Sequence, residues 1–159
     1  MQTRNSLPEK ARLEVAALLQ SALADSIGLM MQARQTHSNV KGPNFTALHE
    51  LFHKVLVGSE KYVDVIAGRM VQLGGIAQES VRATAKKSRL PDHTLDISSS
   101  RNQVTELARM IAFYGRQIRE TIENSHRPKD ADKADTFTAV SRGADRNLCF
   151  VEAHEQEAC

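Results

Sequence analysis

The sequence has no tryptophan, only four prolines and eight glycines in 159 residues, and only two cysteines. Two cysteines are too few for a disulfide framework, so a reducing, cytoplasmic environment is expected. The scarcity of helix-breaking residues favours a helical protein. An excess of charge of one sign is also lacking, since the net charge is only +2. This near balance argues against a protein that binds nucleic acid through a strongly basic surface.

Long apolar runs are absent as well. The N-terminal segment has no apolar core of a signal peptide, and no run of about 18 apolar residues occurs. We therefore predict neither a secretion signal nor a membrane-spanning helix. The chain length suits one domain with a sizeable core. We expect residues 1–159 to form it, with short tails at 1–6 and 156–159.

Apolar residues recur at helical spacing in four segments, at about 7–36, 44–73, 101–125 and 130–155. Ser6 and Glu9 have capping-box spacing before the first helix, and Ser99 or Ser100 is expected to cap the third. Residues 76–101 form a connection long enough to cross the molecule and carry a short helix. The pattern predicts an all-α four-helix bundle with a long crossover connection. Met30, Met31, Met70 and Cys149 are expected in its core.

The most informative chemistry lies in the second helix, where His49 and His53 stand four residues apart. This spacing puts both imidazoles on one helix face, as in many metal sites, although it also arises in ordinary exposed or hydrogen-bonded histidine pairs. Asp64 points the same way, but eleven residues of helix span about 16 Å. One metal ion therefore cannot bind His53 and Asp64 of a single straight helix. A shared site requires Asp64 from a second, antiparallel copy of the chain.

Two further groups of side chains bear on metal binding. His37 ends the first helix, and the turn at 39–44 can fold the second helix back so that His37 approaches His49. Neutral imidazole suits zinc and iron(II), and a carboxylate shifts the preference toward iron. Asp130, Asp132 and Asp135 cluster at the start of the fourth helix. They fit either helix capping or a carboxylate-lined opening for cations where several copies meet.

Several segments together resemble the Dps miniferritins, the DNA-protection-during-starvation proteins. These segments are HSNVKGPNF at 37–45, LHELF at 48–52, Asp64, QLGG at 72–75 and the helix at 135–154. The resemblance implies a ferritin-like bundle that assembles into a homododecamer around a hollow interior. It implies oxidation of iron(II) with hydrogen peroxide or oxygen, storage of iron(III) mineral and protection from oxidative stress. Its ferroxidase centres would lie between subunits, in agreement with the distance argument.

The resemblance assigns residues one at a time. His37 and His49 match the two family histidines, and Asp64 matches the aspartate supplied by the partner subunit. His53 stands where the family usually has an aspartate, and Gly68 replaces its bridging glutamate. A site with three imidazoles and one carboxylate should bind zinc more tightly, and a second iron ion more weakly, than the usual site of the family. This set is similar to the histidine-type ferroxidase centre of some cyanobacterial Dps proteins.

The resemblance bears on three remaining features. His154 is a candidate for a compensating ligand, and Asp130, Asp132 and Asp135 match the region that lines the family's iron-entry pores. Family members usually bind DNA through a lysine-rich tail. Here only Arg4 precedes Ser6, and the C-terminal HEQEAC is acidic, so DNA binding is expected to be weak or absent. The alternative functions are a structural or nucleoid-associated cage with a zinc-occupied, slow site, and a helical interaction module without metal.

Overall fold

The structure, a computed structural model, describes residues 3–97, 99–124 and 131–155, without the side chains of 131–133. It contains five helices: α1 (Glu9–Asn39), α2 (Phe45–Gln72), α3 (Val81–Lys87), α4 (Ser100–Asn124) and α5 (Ala131–Glu152). No strand occurs in these ranges. The four long helices and the short α3 within the long connection confirm the predicted all-α bundle.

Two antiparallel helix pairs form the bundle. α1 packs along α2 and α4 packs along α5, while contacts between α1 and α4 and between α2 and α5 join the pairs. The core between them contains large side chains that are fully buried, since each helix turns one apolar stripe inward. The largest of these are Tyr114, Phe52, Phe137, Leu19, Leu23, Leu29, Ile66, Met70, Leu107, Met110 and Ile111.

The helix ends agree with the sequence prediction to within a few residues, but one cap does not form. The capping box at Ser6 and Glu9 was wrong, because α1 begins directly after Pro8 and no side chain caps it. Ser99 does cap α4, as its Oγ accepts a hydrogen bond from Asn102 N at 3.2 Å. Ser80 caps α3 in the same way, accepting from Ala83 N at 3.3 Å.

One buried carboxylate of α1 binds the crossover connection. Asp25 is fully buried and accepts hydrogen bonds from Arg89 N at 2.6 Å, Arg89 Nε at 2.9 Å and Arg89 Nη2 at 2.6 Å. Ser88 Oγ donates a further bond at 3.2 Å. Gly28, one turn along α1, permits this approach, since a Cβ there would lie 3.1 Å from both Ser88 Oγ and Leu90 Cδ1.

Three apolar residues that the helical pattern would place in the core are exposed in the structure. Met31 is 51% exposed, and Cys149 is exposed. Successive residues of a helix point about 100° apart, so Met31 cannot follow the half-buried Met30 into the same apolar stripe. Cys149 likewise lies beside the inward stripe of α5 rather than on it. Leu13, part of the apolar pattern of α1, is also 66% exposed.

Helix α1 contains a stretch long and apolar enough to cross a membrane, which the sequence prediction did not foresee. More than half of that stretch is buried against the other helices. A central helix of a bundle has this composition because it meets neighbours on several sides, so the stretch is only a weak indication of a membrane span.

Candidate metal centre

Three histidines converge where α1 and α2 join. His37 lies in the last turn of α1, and His49 and His53 lie one turn apart near the start of α2. The turn between the helices reverses the chain at Gly42, whose φ of +108° belongs to a backbone region that glycine enters without a steric penalty. The local sequence thus folds the end of α1 against the start of α2.

The three imidazoles lie close together. The ring centroids of His37 and His49 are 3.9 Å apart with the planes inclined by 35°, and those of His37 and His53 are 5.4 Å apart. Phe45 also contacts this group, with its ring centroid 5.1 Å from that of His49. The approach of His37 to His49 therefore agrees with the sequence prediction. The role of these side chains as metal ligands stays a prediction.

The histidines line an open cleft of about 420 Å³, together with Glu50 and Lys54. Burial lowers the pKa of His37 below its usual value, and the neighbouring His49, His53 and Arg34 lower it further. A neutral imidazole keeps a nitrogen lone pair for a metal ion, whereas a protonated one does not. The electrostatics of the cleft therefore favour the metal-binding form of His37.

Asp64 lies elsewhere, as the helix geometry predicts. It is exposed and lines a second cleft of about 480 Å³ with Gly68, Arg69, Gln72, Asp135 and Thr136 among its walls. A Cβ at Gly68 would meet nothing within 4 Å, so this wall has room for a side chain. Among the described residues, no three His, Cys, Asp or Glu side chains are already arranged around a common metal position. One chain therefore separates the imidazoles from Asp64.

The predicted opening for cations falls largely outside the described part of the chain. Asp130 and the side chain of Asp132 are among the residues not described. Asp135 is exposed and shares the cleft of Asp64, a proximity that sequence reasoning missed because it depends on how α5 packs against α2. The pore assignment of these three aspartates stays a prediction.

Two other side chains, His154 and Glu50, differ from the sequence prediction in their relation to the histidine cleft. His154 lies in a separate cleft, lined also by Asn44, Leu48 and Arg101, and not in the histidine cleft. Glu50 does line the histidine cleft, and sequence reasoning gave it no role. The available signal was its position on α2, three residues before His53, which makes the two side chains neighbours on the helix surface.

Comparisons with known proteins agree with this architecture. Residues 16–157 match the ferritin-like domain. The chain is 37% identical over 155 residues to the DNA protection during starvation protein of Agrobacterium fabrum, covering 98% of this chain and 96% of that one. It is 27% identical over 154 residues to the protein of that name from Mycolicibacterium smegmatis, covering 96% and 82%.

Solved structures share the fold. Dps of Mycobacterium smegmatis is similar with a TM-score of 0.92 at 25% identity, covering 99% of this chain and 95% of that one. DpsC from Streptomyces coelicolor reaches a TM-score of 0.94 at 21% identity, covering 100% and 93%. The similarity to histidine-type cyanobacterial centres stays a prediction. The match along residues 16–157 and the 37% identity across nearly the whole chain show that this protein belongs to the Dps miniferritins of the ferritin-like family.

Proposed function

We propose that this chain stores iron and protects the cell from oxidative damage by oxidising iron(II) at sites between the subunits of a cytoplasmic homododecamer. The observation that carries the proposal is the convergence of His37, His49 and His53 in one cleft at the α1–α2 junction. Iron is the substrate and the stored product, and hydrogen peroxide or oxygen is the oxidant.

The division of ligands follows from distance. His37, His49 and His53 offer nitrogen donors, while Asp64 of an antiparallel second copy offers a carboxylate. This mixed set suits iron(II) and zinc, so zinc is expected to compete for the site. Cations would enter the interior past Asp130, Asp132 and Asp135 where copies meet, a route that their negative charge favours.

The chemistry requires two electrons for each peroxide molecule. Two iron(II) ions each give one electron, and peroxide takes up two protons and becomes two molecules of water. The resulting iron(III) hydrolyses and accumulates as mineral. The side chains of the site hold and orient the iron and offset its charge, which is the usual contribution of a protein to such chemistry. Consuming iron(II) and peroxide together removes both reactants of radical formation.

Stopped-flow oxidation of iron(II) by peroxide tests the site. His49→Ala and Asp64→Asn should each slow the fast phase by at least about tenfold, the scale of damage to a metal site. Lys61→Ala, an exposed change on the same helix, is the control. Rates in His49→Ala equal to wild type would contradict the assignment of the histidine cleft.

Mixed assemblies test whether each site spans two chains. When His49→Ala and Asp64→Asn subunits are unfolded together and reassembled, some pairs combine an intact histidine cleft of one chain with an intact Asp64 of the other. Activity should therefore exceed that of either variant alone. Failure of any recovery, with normal assembly confirmed by light scattering, would contradict a shared site.

A second candidate function rests on Gly68. Without a carboxylate at this position the site lacks one ligand of the family pattern, which favours a zinc-occupied cage with slow oxidation. Such a protein would bind zinc without consuming peroxide, and a structural or nucleoid role would show as DNA retardation in gels at physiological salt. Fast peroxide consumption without retardation, the outcome that we expect, would exclude it.

A further inference from the structure

The histidine cleft contains one carboxylate in addition to its three imidazoles. Glu50 and Lys54 are the other side chains that line it. On α2, Glu50 precedes His53 by three residues, so these two side chains are neighbours on the helix surface. We propose that Glu50 is a further metal ligand, which supplies from the histidine side the second carboxylate that position 68 lacks. This proposal rests on the proposed function.

Charge balance in the cleft supports the assignment. Lys54 lines the cleft, and Arg34 lies near enough to act electrostatically on His37. The three imidazoles carry no negative charge that would offset these positive charges. If Glu50 were absent, a divalent cation in the cleft would therefore be repelled by the charged side chains of this chain around it, because like charges repel. Glu50 is the only carboxylate among the described residues that line the cleft.

The carboxylate of Glu50 is also available. No described residue forms a hydrogen bond or ion pair with it, although Lys54 stands four residues later, at the spacing of a helix ion pair. By contrast, Asp145 is engaged by Arg119 at 2.8 Å on a comparably exposed surface. Glu50 and His53 are both exposed, so each can rotate toward an ion without disturbing the core.

The resulting donor set explains how a chain with Gly68 can still hold iron. One chain offers three nitrogens and the oxygens of Glu50, and the second copy adds the oxygens of Asp64. Carboxylate oxygen shifts a site away from zinc and toward harder ions such as iron(II) and manganese(II). Glu50 therefore sets metal preference as well as affinity. Its loss should weaken iron(II) and manganese(II) binding more than zinc binding.

Cobalt(II) titration of the assembled, metal-free protein provides the test, with visible absorption and calorimetry as readouts. Glu50→Gln should weaken cobalt(II) binding by about tenfold or more and change the d–d spectrum. Glu60→Gln is the matched control, because it is the same substitution at an exposed position of α2, about 15 Å further along the helix. An affinity and spectrum in Glu50→Gln equal to those of the control would overturn the proposal.

A double variant separates ligation from simple neutralisation of Lys54. If Glu50 binds the ion, the loss caused by Glu50→Gln persists when Lys54→Gln is also present. Full recovery of affinity and spectrum in the double variant would overturn the ligand role. His49→Ala separates a failure of the Glu50 role from a failure of the proposed function. If it abolishes cobalt(II) binding while Glu50→Gln does not weaken it, only the role of Glu50 fails, and if His49→Ala has no effect, the proposed function fails.

Discussion

The imidazole of His37, in the last turn of α1, lies with its ring centroid 3.9 Å from that of His49 on α2. The two residues are twelve apart in sequence and meet because the helices run antiparallel through a tight turn. Val40 and Leu48 are buried beside this junction. Helix packing within one chain therefore brings His37 to His49 before any second copy is present.

The proximity of the three histidines leads to a prediction about titration. Burial is the largest cause of the lowered pKa of His37, followed by His49 and His53. The His37 imidazole should therefore titrate below 6.5 in the metal-free protein. Replacing His49 and His53 by Gln should raise its midpoint only part of the way to 6.5. Proton NMR of the imidazole ring measures both values. A midpoint that the double substitution leaves unchanged would contradict the contribution of His49 and His53 to the lowered pKa of His37.

The lowered pKa values of His37 and His93 make the stability of the fold depend on pH. The pKa values of His37 and His93 are both lowered, so between these values and 6.5 the unfolded chain binds more protons than the folded one. The contribution of these groups is present above pH 6.5 and is lost as the pH falls below it. Urea unfolding of the metal-free protein at a series of pH values should show this decline. A flat profile below 6.5 would contradict it.

An acid-side prediction concerns Glu106 on α4. It accepts hydrogen bonds from Arg109 Nη2 at 2.8 Å and Nε at 3.0 Å and from Thr94 N at 3.1 Å. The hydrogen bond from Arg109 is the main cause that lowers its pKa to about 2. Its contribution is present above pH 4.5 and is lost as the pH falls toward about 2.

Glu106→Gln should therefore lower the free energy of unfolding by about 1–3 kcal/mol at neutral pH. It should also make the profile flatter on the acid side. Urea denaturation at neutral and acidic pH measures both effects. Glu120→Gln, at an exposed position of the same helix, serves as the control and should behave as wild type.

The ion pair between buried Asp25 and exposed Arg89 gives a prediction about the crossover. Asp25→Asn removes the charged acceptor of the hydrogen bonds from Arg89 and Ser88 and should lower the free energy of unfolding by about 1–3 kcal/mol. Asp145→Asn is the matched control, because it removes the same charge from an exposed pair with Arg119 and should cost about 0–1 kcal/mol. Thermal and urea unfolding compare the two. Equal small losses would show that the Asp25 network does not hold the connection.

Glycines on two helices should respond in opposite ways to added side chains. Gly68 faces open space, so Gly68→Ala should stabilise α2 by about 0.5–1 kcal/mol through helix propensity. Gly143 packs against the ring of Tyr62, where a Cβ would lie 2.9 Å from Cε1, so Gly143→Ala should destabilise the bundle. Denaturant midpoints measure the two changes, and destabilisation by Gly68→Ala would contradict the open environment.

The open position at Gly68 also allows a gain of function. Gly68→Glu adds a carboxylate near Asp64 and should increase the amount of metal bound per subunit, since a second ion gains an oxygen ligand. Metal analysis after equilibration with cobalt(II) measures the gain. Gly68→Ala is the control, and an equal metal content in the two variants would show that position 68 does not reach the site.

Much of the fold could be predicted from local pattern. The helix bounds of α1 and α2 follow from apolar periodicity and from residues that favour turns, and the short helix follows from the length of the connection. The cap by Ser99 also follows from sequence, whereas the box at Ser6 did not form because α1 begins directly after Pro8. Exposure of Met31 and Cys149 was missed, since periodicity alone does not give the width of the face that a neighbouring helix covers.

The candidate site, like the fold, could be predicted from the sequence only in part. Local sequence determined the spacing of His49, His53 and Asp64 along α2, because the rise and turn of a helix are the same in every protein. Distances between different helices depend on packing, which joins side chains far apart in the chain. Only the packed bundle therefore revealed Asp135 beside Asp64, whereas the place of Glu50 next to His53 could be read from their spacing on α2.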